Sequence, residues 1–363
     1  MRSVFTIVLT VLAITFVATS AQAVSVGVFD LPAWTVTQTT PGVKGFTNPG
    51  SNTGDPEVRI NGALVPFFAG ITLADNANIG TSSDNIVTPY GDPSPTFTET
   101  WISVVDNDTA ANPATTEQNS AISVGFFPFA EGWQGAIVNG NGTIAAANLA
   151  TGGVSRTSAG LYSLSGLPSA ANGIVFAVPN GNGADNTVTV TFDGGTGNWI
   201  VESLDNDGNS RQDHPFSFIA FTRKDVGVFY GEVDADGTQA VTNVSDALAA
   251  LGSVVVNDAP GRWLLTIGDG TVINPATATL FLESGNGVFG APSDNLYSWE
   301  PAGNSFRIRS LDLPGQTDQN VEFRFLAIPL NTTNLSPSVP EPGSLTLLAM
   351  GALGIARRRR AQA

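Results

Sequence analysis

The chain carries one histidine, His214, and no cysteine, so any acid, base or nucleophile must come mainly from carboxylates and hydroxyls. His214 stands between Asp213 and Pro215, just ahead of the aromatic run Phe216-Ser217-Phe218. A Ser-His-Asp relay would depend wholly on this residue, and no G-x-S-x-G elbow accompanies it. One histidine without thiols also leaves no ordinary zinc site. His214 therefore reads as a loop residue. Paired carboxylates could serve a glycosidase as acid and nucleophile or base. Glu99, Glu131, Glu202, Glu232, Glu283 and Glu300 are the candidates, and none lies in a motif that singles it out. The reading is of a chain with no catalytic residue and no cofactor.

Asp-rich turns are the remaining chemical signal: Asp106-Asn107-Asp108, Asp205-Asn206-Asp207-Gly208 and Asp234-Ala235-Asp236-Gly237. Calcium takes six to eight oxygen ligands, and alternating acids in a tight turn supply several from one loop. The EF-hand spacing fails, because no glutamate closes a twelve-residue loop. Asp and Asn also favour turns through bonds to nearby amides. Structural calcium at Asp205, Asp207, Asp234 and Asp236 is the metal candidate, with plain turns as the simpler account. The Gly194-Gly195-Thr196-Gly197 stretch lacks the lysine and following helix of a phosphate loop.

The elements that would position these groups recur along the chain. An Asp-Asn pair appears as Asp84-Asn85, Asp185-Asn186 and Asp294-Asn295, at separations of 101 and 109 residues. Behind each pair comes an aromatic-led strand, opened by Trp101, Trp199 and Phe306, and then a second aromatic strand containing Phe126-Phe127, Phe216-Ser217-Phe218 or Phe323-Arg324-Phe325. Upstream, Gly160-Leu161-Tyr162-Ser163-Leu164 parallels Gly261-Arg262-Trp263-Leu264-Leu265, with residues 67–73 as the degraded first counterpart. In this alignment Glu202 faces Val104 and Arg309, the pattern of a variable surface position. The Asp-Asn pair reads as a turn device entering the next strand; hydrogen bonding to sugar hydroxyls beside Trp101 or Trp199 is the alternative.

Phe306-Arg307-Ile308-Arg309 and Phe323-Arg324-Phe325 alternate apolar with charged residues, the signature of a strand with one wet face. Thr187-Val188-Thr189-Val190-Thr191-Phe192 does so with β-branched residues. Asn139-Gly140-Asn141-Gly142 and Asp193-Gly194-Gly195 mark turns. One short helix is expected over 244–251, capped by Ser245 or Asn243 and stopped by Gly252. The fold class is all-β: about three tandem β-sandwich or jelly-roll-like repeats, at 24–130 (degenerate), 131–226 and 227–335, flanked by an N-terminal signal helix and a short apolar C-terminal helix.

With 42% hydrophobic residues, 21 Phe and 6 Trp, the middle of the chain is too apolar to be disordered. The net charge is −16; without Arg2 and the four tail arginines 10 basic residues remain of 15, and without Glu341 30 acidic residues remain of 31, a balance of −20. Nucleic acid is then a poor partner, since binding it relies on neutralising phosphates.

Both ends read as addresses. Arg2 precedes an apolar run at 4–17 and a small-residue stretch ending in Ala21-Gln22-Ala23, the order of a secretory signal cut after Ala23. At the other end, in 336–363, Val339, Pro340, Glu341 and Pro342 lead into the apolar segment 345–356 and then Arg357, Arg358, Arg359 and Arg360. The prolines hold the approach extended. The apolar segment reaches only about 18 Å as a helix, short for a permanent anchor. The arginines would stay on the cytoplasmic side.

This tail resembles the PEP-CTERM sorting signal of Gram-negative bacteria. The resemblance implies an exosortase that recognises and cuts the tail, export through the secretion translocon, transient inner-membrane association through the tail, and a host that makes extracellular polysaccharide. The repeat order also resembles that of exported bacterial proteins of unknown function. The expected role is a non-enzymatic structural or adhesive protein of the cell surface, outer envelope or extracellular matrix, with a carbohydrate-binding array as the alternative and a glycoside hydrolase third.

Overall fold

The computed structural model describes residues 24–30, 35–39, 59–60, 63–64, 66–77, 85–91, 99–105, 120–149, 152–181, 186–205, 210–234, 241–285, 295–312, 317–330 and 337. The signal segment through Ala23 and the tail from 338 onward, with the helices expected there, lie outside the described residues.

The protein is all-β and sandwich-like, and its strands fall into three sets with one plan of pairing. The first set holds β1 (Ser25–Asp30), β2 (Thr35–Thr39), β3 (Arg59–Ile60), β4 (Ala63–Leu64), β5 (Gly70–Asn76), β6 (Ile86–Gly91), β7 (Thr100–Val105) and β8 (Ala121–Pro128). The second holds β9 (Gln134–Val138), β10 (Ile144–Asn148), β11 (Gly153–Ser158), β12 (Leu161–Ser165), β13 (Gly173–Pro179), β14 (Thr187–Asp193), β15 (Asn198–Asp205), β16 (Ser210–Arg211) and β17 (Phe216–Thr222). The third holds β18 (Phe229–Val233), β19 (Val241–Thr242), β20 (Ser253–Ala259), β21 (Arg262–Ile267), β22 (Ala278–Ser284), β23 (Leu296–Ala302), β24 (Ser305–Asp312), β25 (Thr317–Asp318) and β26 (Phe323–Pro329).

Each set contributes an inner antiparallel sheet, in the orders β2-β1-β8-β5, β10-β9-β17-β13 and β19-β18-β26-β22. Outside these lie β11-β12-β15-β14, with β16 beside β15, and β20-β21-β24-β23, with β25 beside β24; the hairpins β3-β4 and β6-β7 take the corresponding places in the first set. The counterpart of Gly160–Leu164 in the first set is therefore β4. Residues 67–73, aligned with that segment in the sequence, instead form a 3-10 turn (Phe67–Ala69) and β5, which pairs with β8 as β13 pairs with β17 and β22 with β26. In the second set a glycine-led apolar strand occurs twice, at Gly160 and at Gly173, and the shortness of β4 hid the right match in the first.

Burial explains the residue patterns. The outer strands β12, β21 and β24 alternate buried with half-exposed positions, as a sheet with one wet face must. Inner strands β8, β17 and β26 are buried along nearly their whole length. One face of each of the last two inner sheets packs on its own outer sheet: Tyr162, Trp199, Phe216 and Phe218 centre one such core, and Trp263, Trp299, Phe306 and Phe323 the other. The opposite faces of all three inner sheets meet in a shared core containing Ile71, Phe127, Trp133, Phe176, Phe221, Tyr230, Phe281 and Leu326. Phe127, Trp133 and Phe221 stack edge-on with ring centres 5.4 to 5.6 Å apart across the junction of the first two sets.

Two expectations drawn from alternation are corrected. Arg324 is 3% exposed, and Thr187 and Thr189 are also buried. A period of two records which residues share a face, and here that face meets another part of the protein instead of water.

The sets are joined in a ring. Strand β5 runs parallel to β23 through Asn76 and Ser298, which makes the first inner and third outer sheets one nine-stranded sheet. Val190 of β14 bridges in parallel to Gly285, just past β22. Gly181, just past β13, donates to Pro89 O at 3.3 Å, and its carbonyl accepts from Thr88 Oγ1 at 2.7 Å. Each inner sheet thus passes its edge to the outer layer of another set. The single α-helix among the described residues, α1 (Asp246–Leu251), lies where expected: Ser245 Oγ accepts from Leu248 N at 3.2 Å, and Gly252 at φ 77° ends it.

Candidate functional site

Where the three sets meet lies a half-open pocket of about 80 Å³. It is lined by six short pieces, two from each set: residues 74–76 and 85–87, 177–179 and 186–188, 282–284 and 295–297. In every set these are the end of one inner strand and the start of the next outer strand. Asn85, Asn186 and Asn295, the second members of the three Asp-Asn pairs, therefore meet at one place, and each is at least 94% buried. Asp84, Asp185 and Asp294 lie outside the described residues.

Two of the asparagines do the same structural work. Asn186 Nδ2 donates to Leu204 O at 3.2 Å and Gln212 Oε1 at 2.6 Å, and Asn295 Nδ2 donates to Gln319 Oε1 at 3.0 Å. Each amide ties the start of an outer strand to the segment behind that strand's partner. In Asn85 neither side-chain oxygen nor nitrogen has a hydrogen-bond partner.

Two carboxyls complete the lining. Asp75 of β5 accepts from Leu282 N at 2.7 Å and from Asn76 N at 2.7 Å. Glu283 of β22 accepts from Ala177 N at 3.0 Å. Asp75 and Glu283 hold corresponding places in their sheets, as do the amides of Leu282 and Ala177, so one set clasps the next by the same contact twice. The third such place is filled by Val178, which cannot accept. Burial pushes both carboxyls well above the usual carboxylate range, against the backbone donors in each case and against Arg324 beside Glu283.

Arg324 stands between Glu232 and Glu283 across the third inner sheet. Its Nε pairs with Glu232, its Nη1 donates to Val190 O in the second set, and its guanidinium lies 5.4 Å from the ring centre of Trp199. Burial opposes the charge, but Glu232 and Glu283 hold it in place and raise the pKa above its ordinary value. Neither Arg324 nor Asp75 was singled out by sequence reasoning. Their signal was a charged residue inside an otherwise apolar strand.

The other residues of interest lie apart from this centre. Trp199 is fully buried, stacks on Phe192 at 5.2 Å and donates to Pro168 O at 2.6 Å; Phe306 is buried against Trp299 at 5.3 Å. Trp101 is partly buried beside Tyr90. These are hairpin-core aromatics, and Trp199 offers no free face to a sugar. Glu202, expected at the surface, is 3% exposed and pairs with Arg211, whereas Arg309, aligned with it in the third set, is half-buried and pairs with Asp318. Glu300 pairs with Arg307 at 3.0 Å.

His214 lies in a loop with Nε2 buried and unpartnered, and burial lowers its pKa against a bond to the Asn180 backbone. Its neighbour Asp213 is a hub that the sequence did not announce. Arg156 holds it with two bonds of 2.8 and 2.6 Å, and Gly160 N donates to it at 2.9 Å. Asn320 does the same for Gly261 N at 2.6 Å in the third set. Asp205 ends β15 and Asp234 follows β18, while Asp207 and Asp236 lie outside the described residues. Among the described residues no three or more acidic or histidine side chains group to hold a metal.

Residues 338–360 match the family model described as the PEP-CTERM protein-sorting motif. The chain is accordingly an exported protein, processed by an exosortase during export and destined for the cell surface or the extracellular space. No curated protein and no solved structure matches it.

Proposed function

We propose that the protein is a non-enzymatic structural or adhesive component of the surface or extracellular matrix of a Gram-negative bacterium, built from three copies of one β module and released or retained through its sorting tail. The observation that carries this reading is how the buried polar residues are used. Asp75, Glu283, Arg324, Asn186 and Asn295 bind strands and strand sets to each other, which makes a stiff unit with repeated outer sheets. A cavity of about 80 Å³ is far below the roughly 300–1,000 Å³ of pockets that engulf organic ligands, so the clasped centre suits architecture better than turnover. A mature charge near −20 keeps such units soluble and apart until specific contacts form. Extracellular polysaccharide is the partner this reading favours, through many weak contacts at high effective concentration.

The test is deletion in the native host, with cell aggregation, surface attachment and matrix texture as readouts. A parallel screen exposes purified protein to glycan, ester and peptide substrates. The reading expects a changed surface phenotype and no turnover. An unchanged phenotype, or turnover abolished by one carboxylate substitution, would overturn it.

A further inference from the structure

The outer sheet of the third set carries a face that its counterpart in the second set does not repeat. It is formed by the side chains of β20, β21, β24 and β23 that point away from the core, and strand pairing places them in rows. Val256 lies opposite Leu264, Leu264 opposite Arg307, and Arg307 opposite Glu300; Val254 lies opposite Thr266, and Arg262 opposite Arg309. Val254 is 56% exposed and Val256 42%, and Leu264 is half-exposed. With Leu251, at the end of α1, the two valines make three of the seven large hydrophobic residues exposed among the described residues, and they follow one another along one edge. The fold does not require them. In the matching register of the second set, Gly153, Ser155 and Ser163 stand where the third has Val254, Val256 and Leu264.

The charges on this face also set it apart. Arg262 and Arg309 pair with Asp318 at 3.1 and 2.6 Å, and Arg307 pairs with Glu300 at 3.0 Å and stands 4.0 Å from Asp258. Three of the 10 basic residues of the mature chain thus balance three carboxylates here, within a chain whose mature charge is near −20. Two copies repel each other over most of their surface, and a neutral face is where they can approach. Arginine, here the cation at all three places, is enriched in protein interfaces, whereas lysine is depleted. An acidic glycan would instead call for cations in excess of carboxylates.

We propose that this face pairs with the same face of a second copy about a two-fold axis. A two-fold contact lays each patch on itself, so a patch with as many carboxylates as arginines can exchange partners with its twin. Val254, Val256 and Leu264 meet their counterparts as the inner faces of a β-sandwich do. Four strands at about 4.8 Å spacing, with about seven residues at about 3.4 Å each, make a face of roughly 19 by 24 Å. That area is small for a specific contact, so the pair should form reversibly. Such pairing goes beyond the proposed surface role and does not depend on it.

The experiment measures the mass of the processed protein in solution by sedimentation over a range of concentrations, at low and at high salt. A reversible equilibrium of monomer and dimer is expected, and salt should tighten it by screening the overall negative charge. Val256→Asp should weaken pairing at least tenfold, and Leu264→Ser, which adds no charge, should weaken it severalfold. Val226→Asp puts the same charge on an exposed valine between β17 and β18, away from this face in the chain, and should leave pairing unchanged. Circular dichroism of each variant verifies the fold. A chain that is monomeric at every concentration overturns the proposal. So do undiminished pairing in Val256→Asp or Leu264→Ser, equal weakening by Val226→Asp, open-ended assemblies that grow with concentration, and weaker association at high salt. Retention of a monomeric chain on an acidic glycan column, lost in Val256→Asp, would assign the face to polysaccharide and likewise overturn it.

Discussion

Replacing Arg324 by methionine should destabilise the protein by about 3–5 kcal/mol, the range for breaking a buried ion pair from one side. The figure follows from its surroundings. Arg324 is 3% exposed, so its charge gains almost nothing from water. Its loss leaves Glu232 without its counter-ion, takes a donor from the buried Val190 carbonyl and removes the cation over Trp199. An unsatisfied buried acceptor alone costs about 1–3 kcal/mol, and these costs overlap and do not add. Methionine keeps the volume of the stem, which isolates the charge from the packing. The assay is chemical unfolding at neutral pH in chelator, followed by tryptophan fluorescence and circular dichroism. Adding Glu232→Gln should recover part of the loss. Since Arg324 joins the third set to the second, both probes should shift together. A loss below about 1 kcal/mol, or no recovery in the double variant, would refute the picture of a charged clasp at the centre.

Trp199→Ala should cost about 3–5 kcal/mol in the same assay, as for other buried tryptophans, because the ring is wholly buried and its N–H is bonded to Pro168. Gly160→Ala and Gly261→Ala should each cost more than about 1 kcal/mol: both glycines have φ near +60°, and an added Cβ would lie within 3 Å of backbone atoms. Thermal melts of the two variants check this. His214 titrates below its unfolded value of about 6.5, so its folded form resists protonation and its contribution to stability is lost as pH falls through that value. Unfolding free energies of the protein and of His214→Gln, measured between pH 7.5 and 5, should diverge in that window, the variant losing less.

Much of the layer structure was legible in the residues. The outer strands β21 and β24 show their wet and dry faces in Arg262-Trp263-Leu264-Leu265 and Phe306-Arg307-Ile308-Arg309, and Ser245 and Gly252 bracket α1. What alternation could not reveal is what covers the polar face. Arg324, Thr187 and Thr189 look like solvent-facing residues to any rule based on period two, and only ring closure buries them. Glu202 misled for a related reason: a position that holds Val104, Glu202 and Arg309 in three places looks free to vary, yet Glu202 is buried with Arg211 as its partner. The Asp-Asn pairs were the visible trace of the centre. Their convergence depends on contacts between residues about a hundred positions apart, which no local pattern encodes.

The most direct test of the account is the intact mass of the chain recovered from the surface fraction of its native host. Export and sorting predict a chain that begins at Val24 and has lost the apolar segment 345–356 together with Arg357, Arg358, Arg359 and Arg360. A surface-located chain that still carries those four arginines would contradict it.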